Sequence, residues 1–142
     1  MSNPATDLLG SAIYEEIRGG DRLVELEAKI ILQENLGRFV FAYNATLEAR
    51  WEGDKLTEKS GECSQSVGAS YEITPAILIG VEALHQIDLP NWSRSGPAIV
   101  YAGPDVSYRH ANWYFTLTPL AQLTRVTDEV NFQARLIVGM EF

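Results

Sequence analysis

His85, Asp88, Ser93 and Ser95 fall in one short stretch. A histidine, a carboxylate and hydroxyls are the parts of a triad for acyl transfer or lipid hydrolysis. The closer His-x-Ser spacing expected of such a site is missing, because His85 is followed by Gln86 and Ile87. His and Ser near one another in a loop are common, so the stretch predicts no enzyme. His110 falls in a short turn and reads as a turn residue. Cys63 is the one cysteine, which excludes an internal disulfide and reads as an incidental small side chain. Two histidines far apart and one cysteine make no metal-ligand set. Gly19-Gly20 reads as a hairpin turn, not a phosphate loop. The expectation is no cofactor, no metal and no catalytic residue.

A larger set of chemically capable residues is charged. Glu25, Glu27, Lys29, Glu48, Arg50, Glu72, Glu82, Asp105, Arg109 and Arg135 all fall on the polar side of segments that alternate polar and apolar residues. The clearest segment is 39–51. Phe39, Phe41, Tyr43, Ala45, Leu47, Ala49 and Trp51 share one side, with Val40, Ala42, Asn44, Thr46, Glu48 and Arg50 on the other. Period two over such a length predicts a two-faced strand. The same reading predicts strands at 8–17, 24–32, 63–73, 76–86, 98–108, 113–123 and 132–142. In 76–86, Leu78 and Leu84 interrupt the polar side. In 8–17 the phase is open, because Ile13 and Tyr14 compete for the apolar side and Glu15-Glu16 puts a charge on each.

The connections alternate. Tight turns are expected at 35–38, 74–75 and 110–112, where Gly, Pro or Asn stand. Longer polar connections are expected at 18–22, 52–62, 86–96 and 125–129. Short turns at one rim and long loops at the other are the pattern of outer-membrane barrels.

The chain has 142 residues, 46% hydrophobic and 21% charged, with a formal net charge of −8. That describes one folded domain over 1–142, with 1–7 as an N-terminal lead. An acidic chain without a basic run predicts no nucleic-acid partner. No apolar run is long enough for a membrane helix, which says nothing about a β-barrel. No signal peptide is visible at the start, so the expectation is a leader removed or replaced at Met1.

Alternation alone does not say which side is buried. Two features favour the apolar side facing outward. The apolar-side residues nearest the short-turn rim are Phe39, Tyr71, Tyr108, Trp113 and Phe142. All are aromatic, as a girdle at a membrane interface requires. The polar side mixes Gly68, Gly80, Gly103, Gly139, Ser64, Ser66 and Ser70 with charges of both signs. This suits a narrow lumen in which buried charges must pair.

The segment Val138-Gly139-Met140-Glu141-Phe142 resembles the C-terminal signature of bacterial outer-membrane barrels, whose terminal Phe is read by the insertion machinery. The whole chain resembles such barrels. The phrases at 4–10, 26–33, 103–108 and 112–119 are similar to a group of uncharacterised or transporter-labelled outer-membrane proteins. That resemblance implies longer relatives with extra strands upstream. It also implies residence in a bacterial outer membrane.

The combined expectation is an all-β, eight-stranded antiparallel up-and-down transmembrane β-barrel. It would be a monomer in the lipid bilayer or detergent, engaging the insertion machinery through Phe142. The lumen would be ion-paired and largely filled, serving a structural or narrow-pore, transport-related role. The alternatives are an outer-membrane lipid-modifying enzyme centred on His85 and a soluble calycin-like barrel holding an apolar ligand. The loop at 86–96, with Trp92, is the expected place for a surface partner.

Overall fold

The period-two segments all become strands, and each pairs with the next. The computed structural model describes residues 9–93 and 96–140. Its strands are β1 (Gly10–Gly20), β2 (Leu23–Leu36), β3 (Phe39–Glu52), β4 (Glu58–Thr74), β5 (Ile77–Asp88), β6 (Ile99–His110), β7 (Trp113–Gln122) and β8 (Phe132–Met140). A 3-10 turn at Pro90–Trp92 interrupts the loop after β5. Among the described residues the strands form one antiparallel sheet in chain order, curled as a half-barrel, from β1 to β8. The fold is therefore all-β and of the up-and-down barrel type. The expected lead at 1–7 and the terminal Phe142 lie outside the described residues.

Several strands are longer than the sequence pattern suggests. β4 runs for 17 residues and takes in much of the loop expected at 52–62. Its polar start hid it: Glu58, Lys59, Ser60, Gly61 and Glu62 offer little apolar alternation. The connection expected at 18–22 is a two-residue turn at Asp21-Arg22, because Gly19 and Gly20 pair with Val24 and Leu23. The Gly-Gly pair closes a strand and does not form the turn. Gly37 takes φ 63° in the β2–β3 turn, where the left-handed region favours glycine.

The register settles both faces. Glu25 lies opposite Arg50, Asn44 opposite Ser66, and Gly80 opposite Asp105. Tyr14, Glu16 and Arg18 lie opposite Lys29, Glu27 and Glu25, so they join the polar face. Ile13 and Ile17 lie opposite Ile30 and Leu26 on the apolar face, and Glu15 goes with them. This decides the phase of β1.

The apolar face points out of the curl. Ile17 is 77% exposed and Leu136 64% exposed, whereas Glu25 on the concave side is 3% exposed. The inversion extends across the sheet: Phe39, Leu47, Val67, Val81, Leu117 and Val138 are all exposed. A continuous apolar surface of this kind marks an interaction surface, because leaving such side chains in water forgoes about 1.5–3 kcal/mol each.

The buried core is small and concave. Leu84, Ile99, Tyr101 and Leu120 pack together, with Val126 against them. The loop at 123–131 thus folds over the inside of β5–β7. Gln122 ties that loop down by donating to the Val130 carbonyl at 3.1 Å, and the Tyr101 hydroxyl donates to the same carbonyl at 3.1 Å. Leu84, which interrupts the polar side in sequence, is explained by this core. The β6–β7 ladder is broken between Ala102 opposite Ala121 and Val106 opposite Leu117, the interval that holds Pro104 and Pro119. Proline has no N–H to give a ladder.

Candidate functional site

The concave face carries most of the charged side chains, in groups set by cross-strand ranks. At the long-loop end, the rank Arg18–Glu25–Arg50 spans β1, β2 and β3. Glu25 accepts from Arg18 Nη1 at 2.8 Å and from Arg50 Nε at 2.9 Å. Arg50 also reaches Glu48 at 2.9 Å, and Arg18 reaches Glu16 at 2.6 Å. The Tyr14 hydroxyl donates to Glu16 at 2.5 Å. Lys29 pairs with Glu27 at 2.9 Å and stands 5.3 Å from the Tyr14 ring centre. A carboxylate held between two guanidiniums ties together the strands that carry them, so this cluster braces β1, β2 and β3.

Two further groups lie deeper in the curl. Arg135 on β8 pairs with Glu82 on β5, across the concave side. Asp105 accepts from the Ser70 hydroxyl at 3.1 Å. A Cβ on Gly80 would run into the Asp105 carboxylate, the Ser70 hydroxyl and the Ala69 carbonyl. Gly80→Leu is therefore expected to cost about 2–3 kcal/mol by overpacking. Urea unfolding would measure it, with Gly96→Leu, where no described residue lies within 4 Å of the added Cβ, as the neutral control.

Glu72 and Arg109 make no ion pair with another described residue. They line a cavity of about 450 Å³ at the short-turn end, together with Asn35, Arg38, Val40 and Tyr114. A second cavity of about 660 Å³ is lined by Glu27, Lys29, Glu48, Glu62, Ser66 and Arg135. All ten expected charges thus share the concave face, but in separate clusters and not as one network. Sequence reading missed Tyr14, Glu16, Arg18 and Glu62. Tyr14 and Glu16 were hidden by the open phase of β1, and Arg18 and Glu62 by their assignment to the connections at 18–22 and 52–62. Gln86 donates to Glu62 at 3.1 Å.

The expected rim aromatics lie on the convex face at the short-turn end. Phe39 and Tyr71 pair edge-on at 5.0 Å, and Tyr108 packs against Phe115 at 5.7 Å. The Arg38 guanidinium stands 5.5 Å from the Tyr71 ring centre. Trp113 is exposed opposite His110 and Met140. Phe142 lies outside the described residues. A second aromatic group stands at the other rim: Trp51 and Trp92 meet edge-on at 4.9 Å. Trp92 also donates to the Ser60 carbonyl at 3.0 Å, and Lys59 sits 4.9 Å from its ring centre. The residue expected to meet a surface partner is thus docked on β4.

The hydrolytic stretch does not assemble among the described residues. His85 lies opposite Gln65 on the convex face, where the Tyr43 hydroxyl donates to Gln65 at 2.8 Å. Asp88, opposite Glu62, is on the concave face. The Ser93 hydroxyl donates to the Pro90 carbonyl at 2.9 Å, and Ser95 is outside the described residues. Cys63 is a free thiol, half-buried. No group of three or more metal-ligating side chains forms among the described residues. The concave face is lined by carboxylates, guanidiniums, hydroxyls and amides, groups that can hydrogen-bond to polar or charged solutes.

Residues 15–135 match a family of unknown function, DUF6662. No curated protein and no solved structure matches the chain.

Proposed function

The chain belongs to the DUF6662 family, and we propose that it forms the wall of an outer-membrane β-barrel whose charged concave face lines a passage for small hydrated solutes. The observation that carries this reading is the inversion of faces. Exposed Ile17, Leu47, Val67 and Leu136 point outward, and Glu25, Asp105 and Thr118 are buried inside. Water penalises that arrangement, and a hydrocarbon solvent favours it. Aromatic groups at both rims suit the two headgroup levels of a bilayer. A carrier of apolar ligands would need the exposed side chains inside. A lipid hydrolase would need His85, Asp88 and Ser93 on one side of the sheet.

Acids outnumber bases on the concave face, which favours cations over anions along it. The role is accordingly transport-related, with the Arg18–Glu25–Arg50 cluster bracing the wall.

The test is mobility on an SDS gel of detergent-refolded protein, unheated against boiled. The expected result is a faster unheated band and no folded protein in buffer without detergent. A folded, fully soluble protein in plain buffer with no mobility shift would overturn the membrane reading.

A further inference from the structure

We infer that the ion pair between Glu82 and Arg135 is the constriction of the concave hollow, and that its two charges set the size and sign of the solutes that pass. The inference rests on the passage proposed above and names the residues that select within it.

Three observations carry it. The first is reach. Glu82 is on β5 and Arg135 on β8, so the pair spans the hollow past β6 and β7. The other ion pairs described on the concave face join residues of one strand or of adjoining strands, as Lys29 joins Glu27 and Arg50 joins Glu25. Those pairs run along the wall, whereas Glu82–Arg135 crosses in front of it.

The second observation is position. The two cavities share no lining residue. On β5, Leu78 lines the smaller cavity at the short-turn end, and Leu84 and Gln86 line the larger one. On β4, Glu72 lines the smaller and Ser66 the larger. Glu82 stands between Leu78 and Leu84, opposite Gly68, which stands between Glu72 and Ser66. The carboxylate is therefore at the level that divides the cavities. Arg135 lines the larger cavity and meets the carboxylate from β8.

The third observation is what else occupies that level. Glu82 lies opposite Gly68 on β4 and Gly103 on β6, and Gly68 lies opposite Ala42 on β3. A rank of such small residues leaves the hollow wide, and the crossing pair fills it. The Glu82 side chain is 12% exposed and that of Arg135 37% exposed, so the guanidinium is the member that a passing solute meets. A balanced pair favours neither sign strongly. Removing one member leaves a fixed charge that repels ions of its own sign.

The test uses the full chain refolded into planar bilayers with a potassium chloride gradient, each variant first checked for the heat-dependent gel band. Recordings are made at mildly alkaline pH, where a lone carboxylate stays ionised. Glu82→Gln is expected to move the reversal potential toward chloride, and Arg135→Gln toward potassium. Glu82→Ala/Arg135→Ala removes both charges and is expected to raise the conductance several-fold. The exchanged pair Glu82→Arg/Arg135→Glu is expected to bring it back down. A pair that only braced the sheet would change stability without moving the reversal potential in opposite directions. If the double alanine variant does not fold, the two glutamine variants decide by those opposite shifts. Currents of unchanged size and selectivity in folded variants overturn the inference and leave the passage standing. A heat-shifted protein that carries no current in any variant overturns the passage itself, and the constriction with it.

Discussion

Val67→Arg is expected to destabilise the protein by about 2–4 kcal/mol in lipid vesicles, the cost of arginine on a lipid-facing barrel wall near the bilayer midplane. Val67 is exposed on the convex face of β4, opposite Tyr43 and Ala83. It lies four residues from the rim residue Tyr71, a height of about 10 Å for a strand tilted as barrel strands are. In water, an exposed valine replaced by arginine changes stability by less than about 0.5 kcal/mol. The two environments therefore predict effects several-fold apart from one substitution. Urea unfolding from vesicles, followed by tryptophan fluorescence, measures it. A change below about 0.5 kcal/mol would argue that Val67 does not face lipid.

Glu25→Ala is expected to lower stability by about 2–3 kcal/mol. The Glu25 side chain is 4% exposed and carries two guanidiniums, Arg18 on one oxygen and Arg50 on the other. Removing one member of a fully buried ion pair costs about 3–5 kcal/mol, because the remaining charge loses its partner. Both arginines here are more than a third exposed, so water offsets part of the loss. Alanine also leaves two like charges facing each other across β2. The readout is the temperature at which the fast-migrating form on an unheated gel disappears, expected to fall by several degrees. Arg22→Ala is the control. Its pair with Asp54 at 2.8 Å is 68% and 74% exposed, and such pairs contribute little. Equal effects of the two substitutions would show that burial does not govern the cluster.

The sequence by itself determined the strand count, the antiparallel order and the two-faced character of β2 through β8. Side-chain direction in a strand has a period of two, and that period is written directly in 39–51 and 113–123. It also determined which charges share a face, because parity along each strand is local. Tertiary structure decided what parity leaves open. Ile13 and Tyr14 alternate equally well either way, and only the register of Glu25 opposite Arg18 turns Tyr14, Glu16 and Arg18 inward. The polar start of β4 is a strand because β3 holds it, pairing Trp51 with Lys59 and Arg50 with Ser60. Leu84 looks out of place on a polar side until Ile99, Tyr101, Leu120 and the returning loop at Val126 surround it. Which charges pair is likewise a long-range matter: Glu82 meets Arg135 only because the curl carries β8 back across β5. Alternation shows that a strand has two faces. Which face meets water, and what lies across the hollow, depends on curvature, and curvature arises from packing among all the strands.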